Sequence, residues 1–283
     1  MSKKKRLVSY LLSVALVVFL FITIVLTTLN CTILSTVNVK KKIANANYYE
    51  ETKKIIVESC KDYVMQSGFD ESIMDGVVNT YDVQFDVDGL VDYIYEGKEF
   101  EVHSNLIRAN LDKNISEYIA ANNFVVNEET QKSINEFEDT IQKIYERNIE
   151  YSKDTVKQIA EKNKKIKRIV PIAMIVCGII SVVLFLLIKE ISTPSLGISA
   201  LATGAILVFL KVYSGTTVAI NNILLMNRAF SNTLISIANQ VIQKLFVIGI
   251  ILCVVGIAWI IYVEAKRKIV RMLLLDEHSQ VIR

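Results

Sequence analysis

The side chains that could carry chemistry are few. The densest carboxylate group is Asp82, Asp86, Asp88 and Asp92, set around Gly89. Carboxylates interrupted by a glycine have the outline of a calcium loop, which needs oxygen ligands on a sharp turn. With the loop opened at Gln84, its closing bidentate position falls on Tyr95, so both ends of that pattern fail. We read the four aspartates as helix caps and solvated charge. Paired carboxylates also serve glycoside hydrolysis, but any acidic segment offers such pairs. The chain has two histidines, His103 and His278. His103 adjoins Ser104, but no second histidine, nearby cysteine or Gly-x-Ser-x-Gly accompanies it, so neither a zinc site nor a triad assembles. It reads as a surface or capping residue, and His278 in the tail beside Asp276 and Glu277 has no assigned role. No glycine-rich phosphate loop occurs. We therefore expect no catalytic, cofactor-binding or metal-ligating residues, no cofactor and no enzyme activity.

The four cysteines form no metal pattern. Cys177 and Cys253 lie in apolar blocks and act as small hydrophobes. If the chain between them is largely helical, Cys31 and Cys60 stand roughly 40 Å apart at about 1.5 Å per residue, far beyond a disulfide's reach. Both are expected to be free thiols. Cys31 lacks the small residues before it that lipidation would need.

What positions these residues is set by hydrophobic blocks. The chain has 283 residues, 52% of them hydrophobic, and the apolar ones are gathered in long runs. This is the pattern of a multi-pass membrane protein with one polar domain. The first run, 7–29, is uncharged and follows Lys3, Lys4, Lys5 and Arg6. It is too long for a signal peptide and lacks an Ala-x-Ala cleavage site, so it reads as an uncleaved anchor. Further spans are expected over 169–188, 196–212 and 245–263; the third ends at Lys211, which can snorkel. The count of bordering Lys and Arg is near a tie between the two sides. Long domains cross regardless of charge and the first helix usually dominates, so we expect residues 1–6 inside, the polar domain 30–168 outside, and the tail 264–283 returned to the cytoplasm.

From Ile43 to Glu161 there are 25 Asp/Glu against 11 Lys/Arg, a balance of −14. Basic collars flank this acidic head: Lys40, Lys41 and Lys42 on one side, and Lys162, Lys164, Lys165, Lys167 and Arg168 on the other. Each adjoins an apolar run, where anionic headgroups would attract it. Nucleic acid is excluded as a partner, because no basic stripe is present. A basic partner or a cation would be drawn to such a head.

The head reads as helices punctuated by turns. Val39–Met65 is expected to continue helically out of the first span until Gln66-Ser67-Gly68 stops it. Asp70 caps a short helix ending near Gly76. Asp82–Tyr95 is helical, Glu96-Gly97-Lys98 is a turn, and Phe100-Glu101-Val102 is a short extended piece. Ser104 caps a helix with Ile107, Leu111, Ile115 and Tyr118 on one face. Asn127 caps a long helix running without Gly or Pro to Val170. Within it Ile134, Phe137, Ile141 and Ile144 keep coiled-coil spacing before Asn148 breaks the seam. Paired antiparallel with the Val39–Met65 helix, it would form a stalk. Residues 213–244 read as an exterior amphipathic helix: Ile223, Phe230, Leu234, Ile237 and Val241 form its apolar face, and an amide-rich face includes Asn221, Asn222, Asn239 and Gln240. In the spans, Gly197, Ala200 and Gly204, and then Gly249 and Gly256, allow close helix approach. No ionisable residue lies mid-membrane, which disfavours a coupled transporter.

Three stretches carry a resemblance: Asn47-Tyr48-Tyr49, Gln66-Ser67-Gly68-Phe69, and Val91 to Phe100 (VDYIYEGKEF). They resemble multi-pass membrane proteins of low-GC Gram-positive bacteria, over roughly the first half of the head. The resemblance implies no activity and no site residues. The expected fold is therefore an all-α membrane protein, with four transmembrane helices and an extracytoplasmic helical head on a helical stalk, in the cell membrane. The expected function is non-enzymatic: the head senses, binds or scaffolds a partner. The alternative is a channel or transport component with the 213–244 helix near a pore. Partners would be a bilayer with anionic headgroups, and a second copy or another envelope protein.

Overall fold

The computed structural model describes residues 3–150, 153–216 and 228–281. Every regular element among them is helical. The chain divides into two compact units, one of Met1–Thr32, Arg168–Ile223 and Ile237–Arg283, the other of Ile33–Lys167 and Leu224–Ser236.

The first unit holds apolar stretches of four helices: α1 (Lys3–Asn30), α7 (Lys153–Ile191), α8 (Thr193–Thr216) and α9 (Arg228–Val281). Each has a stretch long and apolar enough to cross a membrane. Leu16 of α1, Ile188 of α7 and Leu196 of α8 form a buried cluster, with Trp259 of α9 packed against it. Polar side chains bridge α1 and α8, with Ser9 Oγ 3.1 Å from Ser195 Oγ and Ser199 Oγ donating to the Ser13 carbonyl at 3.3 Å.

Between α8 and α9 the approach is closer. A Cβ added at Gly204 would stand 2.6 Å from the Gly249 carbonyl oxygen, and one added at Gly249 would stand 2.9 Å from that of Gly204. Gly197 and Gly256 repeat the arrangement, at 2.9 and 2.7 Å. The two helices thus touch backbone to backbone at two glycine pairs spaced seven residues apart on each helix. In lipid, where apolar surface gives little drive for helix association, such contact allows dispersion and Cα–H···O bonds to act.

Helix bounds differ from the sequence expectation after α1 and ahead of the last apolar stretch. The helix out of α1 is interrupted twice. Residues 31–35 form turns before α2 (Thr36–Asn45), whose N-cap Ser35 accepts from the Asn38 N–H. Ala46 and Asn47 then separate α2 from α3 (Tyr48–Gln66), with Asn47 left-handed at φ 57°. Asparagine tolerates that conformation, so no glycine is needed. The long helix from Asn127 is described as α6 (Glu128–Glu150) and α7; Tyr151 and Ser152 lie outside the described residues. Within the 213–244 stretch, Asn221, Asn222 and Ile223 lie outside the described residues, and from Arg228 onward the chain is already in α9, which runs without a break into the last apolar stretch.

The second unit packs α2, α3, α4 (Thr80–Glu96), α5 (Ser104–Ala121) and α6 around one core. Ile56, Cys60 and Val64 of α3, Val83 of α4, Ile107, Leu111 and Ile115 of α5, and Ile141 and Tyr145 of α6 are buried there. Terminators work by their chemistry. Gly68 and Gly97 take φ of +82° and +71° after α3 and α4. Asp70 accepts from Ser72 N–H at 2.8 Å at the start of a single 3₁₀ turn, Glu71–Met74. Asn127 accepts from Thr130 N–H at 2.8 Å ahead of α6. Ser104 is not a cap; it is the first residue of α5, and its hydroxyl donates to Glu146 Oε1 at 2.6 Å. The 100–102 piece pairs with no strand. The inner stripe of α6 runs Ile134, Phe137, Ile141, Tyr145, Ile149. Tyr145 replaces the expected Ile144, because α6 packs against α3, α4 and α5 together and its buried face follows the 3.6-residue helix period rather than a two-helix seam.

Burial pushes the Cys60 thiol up to about 12, so it is inert as a nucleophile. All four cysteines are free thiols.

Candidate functional site

The four aspartates singled out in the sequence sit on or beside α4, yet they do not converge. Val83, Val87 and Val91 give α4 its buried face, and Asp86 falls on that same face. Its carboxylate is 0% exposed. Tyr145 of α6 donates its hydroxyl to Asp86 Oδ2 at 2.7 Å. The His103 backbone N–H donates to both Asp86 oxygens at 3.1 and 3.3 Å, and His103 Nδ1 lies 2.8 Å from Oδ1. This corrects the reading of Asp86 as solvated charge; His103 stands at the N-cap position of α5 with its side chain exposed. A buried carboxylate costs several kcal/mol unless its lone pairs are met, and here they are met from two other helices' chain segments. The signal was present in the sequence: Asp86 occupies the valine stripe at helical spacing, where a solvated aspartate does not belong. Burial, and then the Asp86 carboxylate, raise the Tyr145 phenol well above its usual range.

The other carboxylates each tie α4 to a different helix. Asp88 accepts from the Tyr49 hydroxyl of α3 at 2.8 Å. Asp92 pairs with Lys40 of α2 and with Lys98, which stands 3.0 Å away. Burial would raise the Asp92 carboxyl, but hydrogen bonds from Lys40 and Lys98 outweigh it and hold the group below the usual carboxylate range. Asp82 accepts from Asn79 at 3.2 Å beside the helix start. Two collar lysines are thereby used inside the head. Lys40 serves Asp92, and Lys167 Nζ donates to the Tyr95 carbonyl at 3.0 Å, satisfying the C-terminal turn of α4.

On the outer side of α4 lies an open cavity of about 400 Å³. Tyr81, Phe85 and Phe100 supply its aromatic surface; Asp88, Glu99 and Glu101 supply negative charge. Tyr81 and Phe85 are 73% and 53% exposed. Gly89 makes room for the Phe100 ring, since a Cβ there would approach its Cδ2 to 2.9 Å. His103 packs edge-on against Phe85, with ring centroids 4.8 Å apart, and lines the same cavity. The lining includes no serine, threonine or cysteine. Sequence reasoning missed Tyr81, Phe85 and Phe100, because single exposed aromatics are ordinary until a fold gathers them.

A second buried carboxylate lies between α5 and α6. Glu138 is 3% exposed, its Oε2 is 3.4 Å from Arg108 Nε, and its Oε1 has no hydrogen-bond partner. Burial raises its carboxyl above the usual range, Asp112 adds to this, and Arg108 opposes. A carboxyl raised in the folded state stabilises the fold while protonated, and that contribution is lost as pH rises through the folded value. Glu138→Gln removes the loss. The variant's melting temperature should gain on wild type as the pH rises above the ordinary glutamate range, from about pH 5 upward. A flat difference over that rise, followed by circular dichroism, would show that Glu138 titrates normally.

No protein-family model, curated protein or solved structure matches the chain.

Proposed function

We propose that this is a non-enzymatic cell-envelope protein whose acidic head, carried outside the membrane on a helical stalk, binds a basic partner. The reading keeps both termini cytoplasmic and the 30–168 domain exterior. The observation that carries it is the cavity beside α4, where exposed Tyr81 and Phe85 stand among Asp88, Glu99 and Glu101. Aromatic faces and carboxylates together suit a lysine or arginine side chain, which gains both cation–π and ionic attraction. The buried Asp86 network behind the cavity holds α4, α5 and α6 in place and so fixes the shape of the wall.

The test uses the full chain in lipid nanodiscs and short Lys/Arg-rich peptides, with Asp/Glu-rich peptides as the opposite-charge control. Basic peptides should bind and acidic ones should not. Glu99→Gln with Glu101→Gln should weaken binding about 5-fold, from two exposed ion pairs of about 0.5 kcal/mol each. Equal binding of both peptide classes would remove the reading. Topology is checked separately. A cysteine at Ser133, which is exposed, should react with an impermeant thiol reagent on intact cells, while one at Ser279 should not. The reverse pattern would invert the orientation.

A second reading has its own observation. Ser9, Ser13, Ser195 and Ser199 line a cavity of about 390 Å³ between α1 and α8, a polar seam within apolar helices. It favours a channel or transport component, and ion flux through the reconstituted protein would support it.

A further inference from the structure

Where α7 ends and α8 begins, a cavity of about 640 Å³ opens against α9. Four cationic side chains line it: Lys189 of α7 and Lys266, Arg267 and Arg271 of α9. Lys189, Lys266 and Arg271 are exposed. Among the described residues, Arg267 has Glu264 at 3.5 Å, while Lys189, Lys266 and Arg271 form no ion pair, so the positive charge of the cavity is only partly offset there. Like charges gathered this way repel one another, and a bound anion relieves the repulsion.

The surroundings define the anion. Trp259 and Tyr262 line the same cavity, and Trp259 Nε1 donates to the Thr193 carbonyl at 3.0 Å, tying α9 to the first residue of α8. Tryptophan and tyrosine favour the headgroup level of a bilayer. Val263 and Val270 give the cavity an apolar side, and on the membrane side of it Leu186, Leu187 and Ile261 are 53%, 44% and 63% exposed. A small soluble anion would use the cations and leave these apolar surfaces bare. An anionic phospholipid would use both, its phosphate against the cations and its acyl chains along α7 and α9. The cavity opens beside Thr193, so the positive end of the α8 dipole adds to the same attraction.

We propose that this cavity is a binding site for the phosphodiester headgroup of an anionic phospholipid, with a headgroup of two phosphates favoured over one. The inference rests on reading α7, α8 and α9 as spanning helices and is independent of what the head binds. It differs from general attraction of basic residues to a negative membrane surface, because it assigns the lipid to one place on the protein.

The experiment delipidates the full chain in neutral detergent and measures bound lipid by native mass spectrometry, with diphosphatidylglycerol, phosphatidylglycerol and phosphatidylcholine as probes. Affinity should fall in that order. Lys189→Gln with Arg271→Gln should weaken diphosphatidylglycerol binding roughly 25-fold, since each cation near anionic lipid contributes about a factor of five. Lys266→Gln with Arg267→Gln should weaken it in the same way. Lys164→Gln with Lys165→Gln removes the same charge from exposed collar positions and should change it less than about 2-fold. Circular dichroism of each variant without lipid confirms that the fold is kept. Equal loss in the collar control would overturn the site in favour of diffuse attraction. Displacement of the lipid by inorganic phosphate or glycerol phosphate at matching concentration would overturn it in favour of a soluble anion. Failure to bind any of the three lipids would overturn the site.

Discussion

Gly204→Leu should unfold the contact between α8 and α9 and lower the melting temperature of the detergent-solubilised protein by more than any other single change in the first unit. The neighbours that a side chain would meet are the Gly249 carbonyl oxygen at 2.6 Å and the Cys253 backbone nitrogen at 2.8 Å. Backbone atoms inside a helix cannot rotate away as a side-chain tip can. The helices must separate, and the second glycine pair at Gly197 and Gly256 separates with them. Overpacking of a core typically costs about 1–3 kcal/mol, and a clash against two main-chain atoms belongs at or above the top of that range. Gly204→Ala, with a single carbon, should already be measurably destabilising. Ala205→Leu adds comparable bulk one residue further on, at an exposed position, and should be near neutral. If Gly204→Leu melts with Ala205→Leu, the two helices do not meet at these glycines.

Asp86→Ala should have an effect of similar size in the other unit. It leaves the Tyr145 hydroxyl buried without an acceptor, strips the His103 backbone N–H of its partner and opens a void beside Val83 and Val87. Each buried donor left without an acceptor costs about 1–3 kcal/mol. Tyr145→Phe removes only one donor and should cost about 1.5–3 kcal/mol, the range for a hydrogen bond to a charged group. Asp82→Ala, at a half-buried site near the helix start, should stay within about 1 kcal/mol. Limited proteolysis within Ile33–Lys167, alongside thermal unfolding, reports the second unit apart from the first. An Asp86→Ala head as resistant as wild type would mean that the carboxylate is not holding α4, α5 and α6 together.

Much of the punctuation was legible. Gly68, Gly97, Asp70 and Asn127 each act where a helix stop or cap was expected, because their effect is local and needs no knowledge of neighbours. The breaks at 31–35 and at Ala46-Asn47 were not read, since neither contains the Gly or Pro that marks a turn and Asn47 enters the left-handed region on its own side-chain tolerance. The choice of Tyr145 over Ile144 was also hidden. A heptad pattern presumes one partner helix, while α6 has three, and only the assembled core decides which of two adjacent apolar residues turns inward. The candidate site was legible as a place and misread as chemistry. The aspartates around Gly89 did mark the cavity, but composition treats every aspartate alike, and one of them is wholly buried while others are spent on Tyr49 and Lys40.

The two glycine pairs of α8 and α9 have a consequence for ancestry. Most lipid-facing positions of an apolar helix can exchange among Leu, Ile, Val and Phe at little cost, so overall similarity between related membrane proteins erodes quickly. Positions 197, 204, 249 and 256 are not free to drift in that way, because each admits no side chain against the facing backbone. Distant kin of this chain should therefore keep a glycine, six intervening residues and a second glycine on each of two neighbouring antiparallel helices, long after the residues around them have been exchanged.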